Sequence, residues 1–118
     1  MITILKGNDF TIQWTITNPE GTQINLSQKS CKVYVRSRIN GPFEIPTISV
    51  ESGVITATVP GCALPTGKYF LDLKCTYLSG STTKCRRTIT KEIITITENI
   101  DEVSGDDVVI ANSKMNDF

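Results

Sequence analysis

The chain has 118 residues, with twelve Lys and Arg against twelve Asp and Glu, and no histidine. At this length one domain is expected, burying roughly 60–70% of its unfolded-chain surface. Zero net charge argues against a nucleic-acid binder, which needs a basic face to displace counterions. The lack of histidine removes Ser-His-Asp and Cys-His catalysis, His-bearing zinc sites and the usual pH switch near neutrality.

Thr and Ile are the commonest residues, while Ala occurs only at Ala57, Ala63 and Ala111. β-Branched side chains are stiff at χ1 and fit a pleated surface better than a helix, so an all-β fold is expected. No apolar run approaches the ~20 residues of a membrane span. The N-terminus lacks the basic and long apolar regions of a secretory signal. Synthesis in a cytoplasm is therefore expected, where the four cysteines would be reduced.

Residues 2–5 form a short β-rich run that ends in the turn-type cluster Lys6-Gly7-Asn8-Asp9. Phe10, Ile12, Trp14 and Ile16 then alternate with Thr11, Gln13, Thr15 and Thr17. That is the period of a strand with one buried face, and Trp14 falls mid-strand as a core anchor. Asn18-Pro19-Glu20-Gly21 stops the strand. Cys31, Val33 and Val35 make the next apolar stripe, with Lys32, Tyr34 and Arg36 opposite. After the turn Asn40-Gly41-Pro42, residues 43–50 are extended but interrupted by Pro46, which cannot donate to a ladder and marks an edge strand. Glu51-Ser52-Gly53 predicts a hairpin loop with Val50 opposite Val54, and residues 54–59 form the return strand.

A crossing loop over residues 60–67 leads to the longest apolar stripe, Tyr69, Leu71, Leu73, Cys75 and Tyr77, with Asp72, Lys74 and Thr76 opposite. Ser79-Gly80-Ser81 reads as a three-residue turn. Residues 82–98 read as one long strand or two joined by a bend. Their second half, Ile93-Ile94-Thr95-Ile96, is apolar on both faces, which predicts a strand covered on both sides or one that switches sheets. Seven to eight short strands with turn signals every 8–12 residues predict a small antiparallel β-sandwich over residues 1–98, with a partly open barrel as the second architecture.

Residues 99–118 change character and read as an acidic C-terminal arm. Asp101, Glu102, Asp106, Asp107 and Asp117 stand against Lys114, a net of −4, so the first 98 residues carry +4. This polarity suits a head-to-tail connector. Within the arm, Val108, Val109, Ile110 and Ala111 form an apolar island. Two readings of it stand: it adds a strand to an exposed edge of a partner chain, or it folds back on its own sandwich.

The cysteines are spaced by 31, 13 and 10 residues, with no C-x-x-C pair, so zinc-ribbon spacing is absent. Cys31 and Cys75 fall on apolar stripes and read as small buried hydrophobes. Reflection about the expected turn places Cys75 across from Cys85 as a cross-strand thiol pair, with Cβ atoms about 4.5–5.5 Å apart. Asp101-Glu102 and Asp106-Asp107 match no EF-hand spacing and read as solvated acids. The basic residues Arg36, Arg38, Lys84, Arg86, Arg87 and Lys91 lie on neighbouring expected strands. They read as charges that discourage edge aggregation or meet an acidic partner surface, Arg86 and Arg87 above all. Tyr34, Tyr69, Tyr77 and Phe43 are candidates for a sugar platform, although Tyr69 and Tyr77 share a stripe with core leucines. No Gly-rich phosphate loop and no G-x-S-x-G elbow is present. A metal-dependent enzyme would need a carboxylate cluster in a cleft and ranks last.

Several elements carry a family resemblance: Lys6-Gly7-Asn8-Asp9-Phe10 leading into an alternating strand, Asn25-Leu26-Ser27 before Cys31-Lys32-Val33-Tyr34-Val35, the hairpin at Glu51-Ser52-Gly53-Val54-Ile55, Leu64-Pro65-Thr66-Gly67-Lys68-Tyr69 opening a long strand, and a Gly80-centred turn. Over residues 1–98 this order resembles the immunoglobulin-like domains of tailed-phage structural proteins. The nearest in pattern are the N-terminal domains of upper baseplate proteins and prophage-encoded proteins of Bacteroides-type gut bacteria. The resemblance implies an immunoglobulin-like sandwich with a non-enzymatic virion role, an adaptor or auxiliary module of capsid, tail or baseplate. Other virion proteins or further copies of the chain would be its partners, in a multi-copy assembly formed in the bacterial cytoplasm. It implies no catalytic residue, cofactor, nucleic acid or membrane. The alternative is a sandwich that binds carbohydrate or a host surface.

Overall fold

A computed structural model describes residues 2–27, 29–61 and 64–117. Through them run ten strands: β1 (Ile2–Leu5), β2 (Phe10–Thr17), β3 (Ser30–Arg36), β4 (Phe43–Glu44), β5 (Thr47–Glu51), β6 (Val54–Val59), β7 (Gly67–Ser79), β8 (Thr82–Ile89), β9 (Ile94–Thr97) and β10 (Val108–Lys114). A single turn of 3-10 helix, Ile100–Glu102, precedes β10 and is capped by the Asn99 side chain. The strands form two sheets. One has the order β1-β9-β7-β3-β4, with β8 also on β7; the other has the order β10-β2-β6-β5. The inward stripes of both sheets merge into one hydrophobic cluster, in which Ile12, Trp14, Leu26, Ile55, Tyr69, Leu71 and Leu73 are fully buried. The all-β, two-sheet, sandwich-like expectation is met.

The extra strands have local causes. Pro46 divides the extended stretch into β4 and β5, which are edge strands of opposite sheets. The chain thus crosses between sheets where a residue without an N–H interrupts the ladder. Residues 82–98 are likewise two strands, β8 and β9, and both lie along the same side of β7. The break spans residues 90–93, where the Leu71 N–H turns to the Thr90 hydroxyl at 2.9 Å. β9 therefore switches no sheet. Within the strand only Ile94 and Ile96 are apolar and they join the core, while Ile93 precedes it and packs, partly buried, against the core.

Residues 99–118 do not project as an arm. β10 lies beside β2 in parallel register, Ala111 opposite Trp14, and Val109, Ala111 and Met115 belong to the core. Of the two readings of the apolar island, the chain realises the intramolecular one. The first strand is parallel too, β1 on β9, so the expectation of a purely antiparallel sandwich fails at both chain ends. Short connections enforce antiparallel neighbours, and strands brought together across the whole chain are free of that constraint.

Two turns are tighter than expected. Glu51 pairs with Val54, and Ser79 with Thr82, so each hairpin closes through two residues. In the second, Gly80 takes φ 64° at the first central position, as a type II′ turn requires. Gly61 is required for another reason: a Cβ there would lie 1.8 Å from the Asn8 carbonyl oxygen. The Gly61 N–H is held by the Asp9 carboxylate at 3.0 Å.

Two buried rings with polar tips tie distant segments. The Trp14 indole N–H donates to the Ser113 hydroxyl at 2.8 Å, which fastens β10 to β2. The Tyr69 hydroxyl donates to the Pro65 carbonyl, and burial pushes its pKa up. Trp14→Ala should cost about 3–5 kcal/mol. Ser113→Ala, which leaves the indole N–H without its acceptor, should cost about 1–3 kcal/mol; urea unfolding measures both. A folded state that holds Tyr69 protonated above its ordinary pKa is stabilised below about pH 10, and this contribution is lost as pH rises further. Unfolding free energy should therefore fall on the alkaline side of pH 10, and fall less in Tyr69→Phe.

Candidate interaction face

β7 alternates strictly along its inner half. Tyr69, Leu71, Leu73 and Cys75 point into the core, so Phe70, Asp72, Lys74 and Thr76 point outward. β3 and β8 flank β7, and cross-strand register completes the outer face. Lys32, Lys74 and Arg87 share one rung, and Tyr34, Asp72 and Ile89 share the next. Lys32 and Lys74 form no ion pair with a carboxylate among the described residues. Like charges directly opposite each other across a ladder are destabilising.

Asp72 is the one carboxylate at the middle of this face, and it is only 2% exposed. Arg87 grips it as a fork, Nη2 to Oδ2 at 2.8 Å and Nε to Oδ1 at 3.4 Å. Arg36 Nε stands 3.3 Å from Oδ2 without being aimed at it. The carboxylate pushes the Arg87 pKa higher still. One buried negative charge thus stands beside two arginines, while Lys32 and Lys74 have no ion-pair partner among the described residues. Apolar surface lies beside it: Ile89 is 58% and Leu78 72% exposed. A shallow hollow of about 340 Å³ continues the face, lined by Arg38, Phe70, Ile89, Lys91 and Glu92 among others.

The site residues expected from the sequence are divided by this geometry. Arg36, Arg38, Arg87 and Lys91 lie on or beside the outer face. Arg86 points the other way, opposite Cys75, and stacks over the Tyr77 ring with its guanidinium 5.5 Å from the centroid. Adjacent residues of a strand face opposite sides, so Arg86 and Arg87 cannot serve one surface. Val109 and Ala111 are buried in the chain's own sheet, while Val108 and Ile110 are exposed. The thiol pair is also reassigned. The two-residue turn at Gly80-Ser81 puts Arg86 across from Cys75 and Thr76 across from Cys85. A slip of one residue turns a side chain to the other face. Cys75 instead meets Cys31, Sγ to Sγ at 3.2 Å. Cys62 lies outside the described residues.

The four aromatics do not assemble a platform. Tyr69 is core, Phe43 packs against the core, Tyr77 lies under Arg86, and Tyr34 alone faces outward on the β3–β7 surface. A hollow of about 500 Å³ does gather acids, with Asp9, Asp106 and Asp107 in its lining. Among the described residues no group of three His, Cys, Asp or Glu side chains is placed to hold a metal ion. The rung formed by Lys32 and Lys74 escaped the sequence reading because β3 and β7 are not joined by a turn. Only the alternation within each strand was visible. The chain matches no protein-family model, and comparisons with curated proteins and with solved structures find no match.

Asp72→Ala should destabilise the fold by about 1–2 kcal/mol at low ionic strength, because it leaves clustered cations without their central anion. The loss should shrink in about 1 M salt, where the screening length drops to ~3 Å. Urea unfolding at both salt levels measures the difference. Equal losses would mean that Asp72 acts by packing alone.

Proposed function

We propose that the chain is a non-enzymatic structural module that works by docking on other protein chains, in a virion assembly of the tailed-phage kind. The observation that carries this is the outer face of β3, β7 and β8. It is a sheet surface that keeps the paired Lys32 and Lys74 without an ion-pair partner among the described residues, next to exposed Ile89 and Leu78. Burying such a face against an acidic partner removes apolar surface from water and relieves like-charge repulsion in one step. The partner's rim charges then fix orientation and register more than affinity.

The immunoglobulin-like assignment belongs to the same proposal, and strand order supports it. If β2, β6 and β5 stand for the B, E and D strands, and β3, β7 and β8–β9 for C, F and G, both sheets have the neighbours of that fold. The Tyr69 hydroxyl, bonded to backbone four residues upstream at the start of β7, sits as the tyrosine corner does. The chain departs from that pattern where Trp14 lies on β2 instead of the C strand, and where β10 fills the edge beside β2. The resemblance of residues 1–98 to phage structural domains supplies the virion setting, with other virion proteins or further copies as partners.

Charge is also distributed along the molecule, which is 51 Å in its longest dimension. Lys74, Lys84, Arg86 and Arg87 lie on the far half of β7 and on β8, towards the Gly80 turn. Glu98, Asp101, Glu102, Asp106 and Asp107 follow β9 beyond the opposite end, where Gly67 pairs with Ile96. Such polarity supports directional assembly, since opposite ends of unlike charge steer encounter.

Density-gradient purification of particles from the producing strain tests the proposal. The chain should co-band with particles at fixed stoichiometry. A Lys32→Glu/Lys74→Glu variant should fold normally, judged by its circular dichroism and unfolding midpoint, yet be depleted from the particles. Complete particles that lack the wild-type chain would overturn the virion reading. Unchanged incorporation of the variant would remove this face from the docking surface.

A further inference from the structure

Cys31 and Cys75 are direct partners in the antiparallel β3–β7 register. Directly opposed residues have Cα atoms about 4.5 or 5.5 Å apart, and both values fall in the range a disulfide spans, roughly 4.4–6.8 Å. The sulfurs already stand 3.2 Å apart. Closing them to a bond near 2.05 Å needs side-chain rotation and a small approach of the two Cβ atoms. The sites differ in access: Cys75 is fully buried, and Cys31, at the margin of the core, is half-buried. We propose that Cys31 and Cys75 form a thiol–disulfide exchange site that reacts with small disulfide oxidants, of which oxidised glutathione is the probe, and closes into a disulfide between β3 and β7.

The reaction runs in two displacements. The Cys31 thiolate attacks one sulfur of the oxidant and breaks its S–S bond, and the released thiolate takes up the proton that Cys31 gave to solvent. The Cys75 sulfur then loses its proton and attacks Cys31 Sγ. That breaks the mixed disulfide and releases the second thiol, which is protonated in turn. Two cysteine thiols lose two electrons in all, and one oxidant disulfide is reduced to two thiols. The electrostatics favour this order. The hydrogen bond between the two sulfurs holds the Cys31 pKa below its ordinary value, while the same bond and burial push Cys75 up. The more accessible, half-buried partner is thus the nucleophile and the fully buried one resolves the intermediate. Cys85, exposed on the outer face opposite Thr76, has no such partner in register.

The bond would join positions 44 apart in sequence and lock the two strands that carry Lys32 and Lys74. This goes beyond the docking proposal and stands whether or not that proposal holds. The reduced full-length chain is incubated with oxidised glutathione near pH 8, quenched with acid, alkylated, and read by intact mass and peptide mapping. The expected product is two hydrogens lighter, contains a Cys31–Cys75 linked peptide, and melts roughly 5–15 °C higher than the reduced chain. Cys75→Ala should stop at a persistent mixed disulfide on Cys31. If that variant does not fold, Cys31→Ser should leave Cys75 unreactive towards the oxidant. The proposal is overturned if wild-type Cys31 stays reduced, retains glutathione, or links to Cys62 or Cys85 in place of Cys75.

Discussion

The structure depends on the ladder around β7. This thirteen-residue strand is paired with β3 along one side and with β8 and β9 along the other. Because successive side chains point to opposite faces, one strand does two jobs. Its inward residues, Tyr69, Leu71, Leu73 and Cys75, are fully buried and form the floor of the core. Its outward residues place Asp72 and Lys74 at the centre of the charged face. The face and the dithiol are therefore two consequences of one register. Cys75 meets Cys31 and Lys74 meets Lys32 because those pairs are neighbours in the same ladder.

The second sheet is completed by the chain's C-terminal strand. β10 covers the edge of β2, and the Trp14–Ser113 hydrogen bond ties the deepest ring of the core to the last strand. A buried indole N–H without a partner would cost about 1–3 kcal/mol, so the C-terminal strand contributes satisfaction of a polar group as well as apolar area. β10 in turn becomes the edge strand of this sheet. The acidic stretch that looks like a solvated arm in sequence is a connector between β9 and β10, anchored at both ends. The Thr3 N–H reaches the Ser104 hydroxyl at 2.8 Å, and Asp107 accepts from the Thr11 N–H at 2.8 Å.

Electrostatics and packing meet at Asp72. An outward-pointing carboxylate is ordinarily solvated, but this one is buried against the guanidinium of Arg87, with Arg36 Nε 3.3 Å away. Two arginines around one carboxylate still leave the face positive, and Lys32 and Lys74 add to it. A monomer stabilised only for itself would gain from a glutamate at either lysine. On this face the like charges of the paired Lys32 and Lys74 stand near exposed Ile89 and Leu78.

Much of the fold was legible residue by residue. Trp14 as core anchor, the stripes of β2, β3 and β7, the interruption at Pro46 and the bend within residues 82–98 all follow from side-chain alternation or from missing backbone donors, which act within a few residues. The thiol pair was misassigned because a turn of three residues instead of two shifts the register by one and turns Cys85 to the other face. The cationic rung was not legible, and of β10 the sequence offered its return to the chain's own sandwich as one of two readings but not its place beside β2. By itself, then, the sequence determined which residues form strands and which side of each strand seeks the core, since the period of two is a local property. Only the tertiary structure decided that β3 lies against β7 and β10 against β2. Those pairings join segments far apart in the chain, and they are selected by how the whole core packs.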